Sequence, residues 1–181
     1  MKLIRSPLYL ALALLTQCSS CKDHDPSPEQ QLPPATQTGA NTFGCLINGQ
    51  AYLPAGYDGT SNYAVLYDPG YNGGTLDIRT YNAAGNNDQY LSVSSDGVNQ
   101  VRTYSMNGSS SSVGFYFRDA AHSTSCALIN TSDNSIYRKG SLTITRLDLQ
   151  AGIISGTFEA KLAKPGCDTV RITQGRFDKK L

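Results

Sequence analysis

Apolar residues recur at every other position through much of this chain, and that period decides what it can fold into. In "IISGTFEAKLA", Ile154, Gly156, Phe158, Ala160 and Leu162 alternate with Ser155, Thr157, Glu159 and Lys161. "SVGFYFRD" puts Val113, Phe115 and Phe117 on one side, and "TFGCLIN" does the same with Phe43, Cys45 and Ile47. Successive side chains of a strand point to opposite faces, so each run reads as a strand with one face in a core and one in water. "NYAVLYD", "TLDIRTYN", "QYLSVSSD", "GSLTITRLD" and "DTVRITQ" are further strand candidates. Turn signals separate them, among them "DPGYNGG", "NAAGNND", "SDG", "NGSSSS" and "KPGCD". No stretch sustains a helical repeat.

Eight or nine short antiparallel strands predict an all-β meander forming a β-sandwich, with an up-and-down, lipocalin-like β-barrel as the alternative. The sandwich is favoured because "NGSSSS" and the segment from His122 to Lys139 are long enough to cross between sheets. In the last strand, Val170 and Ile172 share one parity and Phe177 has the other, so an unbroken strand would turn Phe177 into solvent. A bulge at Gly175 adds one residue and returns Phe177 to the core, with glycine supplying the backbone conformation.

The N-terminus reads as an export signal: "MKLIR" is basic and "LYLALALLT" is an apolar run too short to span a bilayer. No later segment approaches the ~20 apolar residues of a membrane-spanning helix. Small residues lead into cysteine in "SSC", which resembles the processing site of bacterial lipoproteins, where the new N-terminal cysteine carries lipid. Cys21 is the better candidate because Ser20 precedes it, whereas Gln17 precedes Cys18. Plain secretion and a Cys-x-x-Cys redox pair are the alternatives. A redox pair needs a folded scaffold to lower the thiol pKa, and proline-rich polar sequence follows instead. "KDHD" resembles the acidic tag that sends Bacteroidota lipoproteins to the outer face of the outer membrane. From Lys22 to Ala40 the chain has four prolines and, apart from Leu32, almost no large apolar residue, so it reads as a disordered tether. The expected organisation is a signal peptide at 1–20, a tether at 21–40 with lipidated Cys21, and a single all-β domain at 41–181.

Removing residues 1–20 takes Lys2 and Arg5 from 15 basic groups and leaves 13 against 14 acidic ones. Such a balance, with no lysine or arginine cluster along the chain, offers no field to steer it onto nucleic acid or anionic headgroups.

The opening "NTFGCLINGQAYLP" and the close "GSLTITRLDLQAGIISGTFEAKLAKPGCDTVRITQGRFD" resemble a family of uncharacterised Bacteroidota lipoproteins grouped as a domain of unknown function. The resemblance implies an envelope location and a β fold; with "SSC" and "KDHD", the expected location is the bacterial outer membrane, lipid-anchored. It transfers no catalytic residue.

Chemistry is sparse. His122 in "RDAAHSTSC" is the domain's one histidine, and with Asp119 it offers half of a Ser-His-Asp arrangement without a G-x-S-x-G frame for a nucleophile. Glu159 is the domain's one glutamate, whereas glycoside hydrolysis uses paired carboxylates. Asp77 and Arg79 share a strand face and read as an ion pair on a wet sheet. "GYNGGTLD" and "AAGNNDQ" carry oxygen ligands but lack the spacing of a calcium loop. No catalytic residue, metal or cofactor is therefore assigned. Three cysteines remain in the domain, so an oxidising compartment pairs two and leaves one. Cys126 and Cys167 lie at strand or loop edges and are the candidate pair, with Cys45 as a small core hydrophobe. Eleven tyrosines and no tryptophan make tyrosine the compositional oddity. Tyr63, Tyr67, Tyr71 and Tyr81, set among asparagines, are the candidate ligand-binding residues. The expected role is a non-catalytic envelope module binding a glycan, a small molecule or a protein. The alternative is a structural or accessory lipoprotein without a pocket.

Overall fold

The computed structural model of the chain describes residues 25–85, 88–107 and 112–181. Residues 1–24, with the expected signal peptide, Cys18 and the lipidation candidate Cys21, Asn86 and Asn87 of the "AAGNNDQ" turn, and residues 108–111 of "NGSSSS" lie outside the described residues. The strands are β1 (Thr42–Ile47), β2 (Gln50–Tyr52), β3 (Tyr63–Asp68), β4 (Thr75–Asn82), β5 (Gln89–Ser95), β6 (Thr103–Asn107), β7 (Val113–Asp119), β8 (Leu128–Asn130), β9 (Tyr137–Asp148), β10 (Ile153–Ala163) and β11 (Val170–Lys180).

They form two antiparallel sheets, one six-stranded in the order β2-β1-β11-β10-β9-β6 and one five-stranded in the order β3-β4-β5-β7-β8. Neither sheet closes on itself, so the fold is a sandwich and not the barrel. The two segments expected to cross do join the sheets: β6 and β7 stand on different sheets, as do β8 and β9. The chain departs from a continuous meander at β6, which leaves β5 and β7 paired with each other and pairs with β9 on the opposite sheet. There its inward Tyr104 and Met106 are buried in the core.

Alternation survives in the burial of each long strand. Phe43 stacks on Phe158 at 5.4 Å within the six-stranded sheet, and Phe158 meets Phe115 of the other sheet at 6.2 Å. Cys45 is fully buried and unpaired, and burial pushes its thiol pKa well above the ordinary value. It stays a neutral, inert apolar group. Cys126, before β8, is bridged to Cys167, before β11, with Cα atoms 5.6 Å apart, so the disulfide ties one sheet to the other.

Three short strands escape the sequence reading. β1 and β2 form a hairpin around Asn48 and Gly49, both at positive φ, and "NG" between paired strands is a two-residue turn signal. β8 is too brief to show a period, and β6 alternates Tyr104 and Met106 over five residues only.

The bulge in β11 falls one residue earlier than expected. Two steps along β1, Gly44 to Leu46, match three along β11, Arg176 to Thr173. The left-handed backbone belongs to Gln174, with φ 52°, not to Gly175. Gly175 is required for a different reason: a Cβ there would collide with the ring and carbonyl of Phe158. Phe177 returns to the core, as the parity argument demands, at 2% exposure.

The larger correction concerns the tether. Residues 27–40, expected to be disordered, lie as a strap along the outer face of the six-stranded sheet. Leu32 is buried, and a Cβ on Gly44 would come within 2.8 Å of Pro33 and 3.3 Å of Leu32, so β1 needs a glycine for the strap to dock. Asp178 anchors the other end. Its carboxylate accepts hydrogen bonds from Thr36 Oγ1 (2.6 Å), the amides of Thr38 (2.9 Å), Gly39 (2.8 Å) and Ala40 (3.1 Å), and Ser155 Oγ (2.7 Å). Burial alone would raise the Asp178 pKa, but the bonds from Ser155, Thr36 and the backbone amides outweigh it and hold the carboxyl well below its usual range. Arg146 donates to the Gln37 carbonyl (2.5 Å), Arg176 to that of Pro33 (3.3 Å), and Gln174 bonds Glu29. Composition misled because a polar segment can be held by hydrogen bonds to a buried carboxylate of a sheet rather than by a core of its own.

Candidate functional site

Among the described residues no strap crosses the centre of the outer face of the five-stranded sheet. Because Leu76, Ile78 and Thr80 of β4 point inward, Asp77, Arg79 and Tyr81 point outward. By the same parity β5 presents Tyr90, Ser92 and Ser94, and β7 presents Gly114, Tyr116 and Arg118. Pairing lines them up in rows: Asp77, Ser94 and Gly114; then Arg79, Ser92 and Tyr116; then Tyr81, Tyr90 and Arg118. Ser92 and Ser94 of the middle strand, between Asp77 and Arg79 on one side and Tyr116 on the other and with Tyr90 at one end, floor a groove of about 570 Å³, with Thr75, Asp96 and Ser112 at its far end.

The groove has defined chemistry. Arg79 pairs with Asp77 through Nη2 at 2.5 Å and Nε at 2.7 Å, and Ser92 Oγ donates to the other Asp77 oxygen at 3.3 Å. The hydrogen bond and charge of Asp77 raise the guanidinium pKa, so Arg79 is cationic throughout. Tyr90 and Tyr116 meet edge to face at 5.5 Å and 90°, both half-buried, and burial raises the Tyr90 pKa. Among the described residues Arg118 has no ion-pair partner. Thr75 Oγ1 donates to Asp96 at 3.0 Å. The result is an open trough with two aromatic walls, a hydroxyl floor and a carboxylate–guanidinium rim.

The four tyrosines singled out by composition do not converge on it. Tyr63 is in the core against Phe43 at 5.6 Å, with Lys179 Nζ 4.7 Å from its ring. Tyr67 turns inward and donates to the Val98 carbonyl at 2.6 Å. Tyr81 points outward, but the 55–62 loop covers it: its hydroxyl donates to the Thr60 carbonyl (2.6 Å) and accepts from the Asp58 amide (3.1 Å). Only Tyr71 is strongly exposed, and it does not line the groove, although its carbonyl accepts from Thr75 at the groove's far end at 3.2 Å. Composition counted tyrosines without asking which way each one faces. Parity would have found Tyr90 and Tyr116, each alternating with buried neighbours, and the Asp77–Arg79 pair was legible as a shared face.

The remaining candidates stand apart from one another. His122 Nδ1 is 3.5 Å from Asp119 on a surface turn, and the Asp119 carboxylate also accepts from Gln89 (2.8 Å) and the Ala121 amide (2.9 Å). Among the described residues no serine hydroxyl bonds His122. Glu159 is exposed on the opposite sheet beside Thr157 and Lys161. In the "GYNGGTLD" region, Asp68 caps its own turn by accepting from the Gly70 amide at 2.8 Å. Among the described residues no group of three His, Cys, Asp or Glu side chains is placed to hold a metal ion. Comparison of the chain with protein-family models, curated proteins and solved structures gives no match.

Proposed function

We propose that the chain is a non-catalytic envelope lipoprotein, anchored through Cys21, that binds a glycan in the groove on the five-stranded sheet. The observation that carries this reading is the Tyr90–Tyr116 pair set beside the Asp77–Arg79 pair over a serine floor. A sugar ring offers apolar C–H faces to an aromatic wall, and neighbouring hydroxyls to a carboxylate and a guanidinium at once. A small apolar molecule would displace water from the serines and the ion pair without offering them hydrogen bonds, so the groove suits it less. The volume falls within the range of ligand sites, enough for a short saccharide. A structural or accessory role without a pocket would need a flat apolar face for its partner. The exposed large apolar residues, such as Tyr57, Leu66, Val101 and Leu149, come from separate strands and loops and support it poorly.

The test is a screen of the folded protein against neutral and amino-sugar oligosaccharides, followed by titration of each hit. Tyr116→Ala is expected to weaken binding about tenfold, or about 1.4 kcal/mol, while Tyr71→Ala leaves it unchanged. Absence of any saccharide binding at millimolar concentration, or equal affinity of the Tyr116→Ala variant, would overturn the assignment.

A further inference from the structure

Lysines and arginines do not cluster along the chain, yet antiparallel pairing brings three of them into one row. Lys161 on β10 stands directly opposite Lys139 on β9 and directly opposite Arg171 on β11. All three are exposed, on the outer face of the six-stranded sheet. With adjacent strands about 4.8 Å apart, the three Cα atoms span roughly 10 Å. Like charges placed opposite each other across a ladder are destabilising. Among the described residues none of the three has a carboxylate within ion-pair distance. Two carboxylates flank the row: Glu159, which faces Ser141 one step along, and Glu29 of the strap, which is engaged by Gln174. A shallow depression of about 380 Å³ runs along the row, open on its outer side and suited to a surface rather than to an enclosed small ion.

The same face receives the N-terminal chain. The strap runs from Asp178 past Arg176 to Gln174, so its earlier residues lie toward the end of β11 that carries Arg171. Cys21 is four residues from Asp25, a reach of at most about 14 Å even when fully extended. A domain tied to a bilayer by so short a link stays close to the headgroups, and fixed charges are felt within a Debye length of about 8 Å. We infer that the outer face of the six-stranded sheet lies against the membrane, with Lys139, Lys161 and Arg171 seated on anionic lipid headgroups. This rests on the Cys21 anchor proposed above. It turns the groove on the opposite sheet away from the bilayer, toward soluble or polymeric ligand.

Amine acetylation of the full-length lipidated protein, inserted into vesicles of phosphatidylcholine alone or mixed with phosphatidylglycerol and read by peptide mass spectrometry, tests the orientation. Lys139 and Lys161 should react several-fold more slowly in the phosphatidylglycerol vesicles. Lys179, at the other end of β11, should react equally in both, and molar salt should abolish the difference. Equal rates at Lys139 and Lys161 in both vesicles, with lipid found on Cys21 by intact mass, would overturn the orientation and leave the anchor standing. An intact mass without lipid on Cys21 would overturn the anchor and the orientation together.

Discussion

On the outer face of the six-stranded sheet, Gly44 and Ser155 lie beneath a strap of N-terminal chain, whereas on the five-stranded sheet Tyr90, Ser92 and Tyr116 line an open groove. Both faces are built from the same alternation, and both carry serine, glycine and paired charges. What separates them is a single buried acceptor. Asp178 gathers the amides and hydroxyls of the strap and of Ser155, so the carboxylate and the Ser155 hydroxyl are buried beneath the strap. Among the described residues Asp77 meets a neighbouring arginine and serine, and its surroundings remain accessible. A polar outer face is thus free to bind a ligand only where nothing in the chain has already satisfied it.

The strongest way to break this contrast is Asp178→Ala. Removing the acceptor strands the buried Ser155 hydroxyl and four partly buried donors of the strap, and a loss of about 3 kcal/mol is expected. Urea denaturation measures the loss, and rapid proteolysis within residues 27–40 would show that the strap has lifted. A strap that stays protected would mean that Leu32 and Pro33 hold it instead. Gly175→Ala comes next, at about 2 kcal/mol, because the added methyl must displace the Phe158 ring. The same substitution would be harmless if glycine served only the conformation of the bulge, since the positive φ belongs to Gln174.

A matched pair sharpens the comparison. Ser155→Ala, on the covered face, should cost about 1.5 kcal/mol by removing a hydrogen bond to a buried carboxylate. Ser92→Ala, at an equivalent outward position on the open face, should change stability by less than about 0.5 kcal/mol. Equal costs would erase the distinction between the two faces. The smallest effect is that of pH. The folded Asp178 pKa lies below its unfolded value of about 3.9. Its contribution is therefore complete at neutral pH and is lost only as pH falls below about 4. The stability difference between wild type and Asp178→Ala should accordingly be constant from pH 8 to about 5 and shrink in stronger acid. A difference that already shrinks near pH 6 would assign the anchor to another group.

Much of this could be read from local order alone. The eight longer strands, the inward sets on β1, β7 and β10, the return of Phe177 and the apolar setting of Cys45 all follow from a side-chain period of two, which is a property of neighbouring residues. The Asp77–Arg79 pair was legible for the same reason. Pairing between distant strands, by contrast, is set by the register of ladders and by which sheet each strand joins. Only the tertiary structure could place Lys139, Lys161 and Arg171 in one row, set Tyr116 beside Tyr90, or bring residues 36–40 to Asp178 across some 140 positions of chain. Sequence determined which way each side chain faces. Long-range packing decided whether that face met solvent, a ligand groove or the chain's own N-terminal strap, because the free energy of a polar group depends on the partners that folding brings to it.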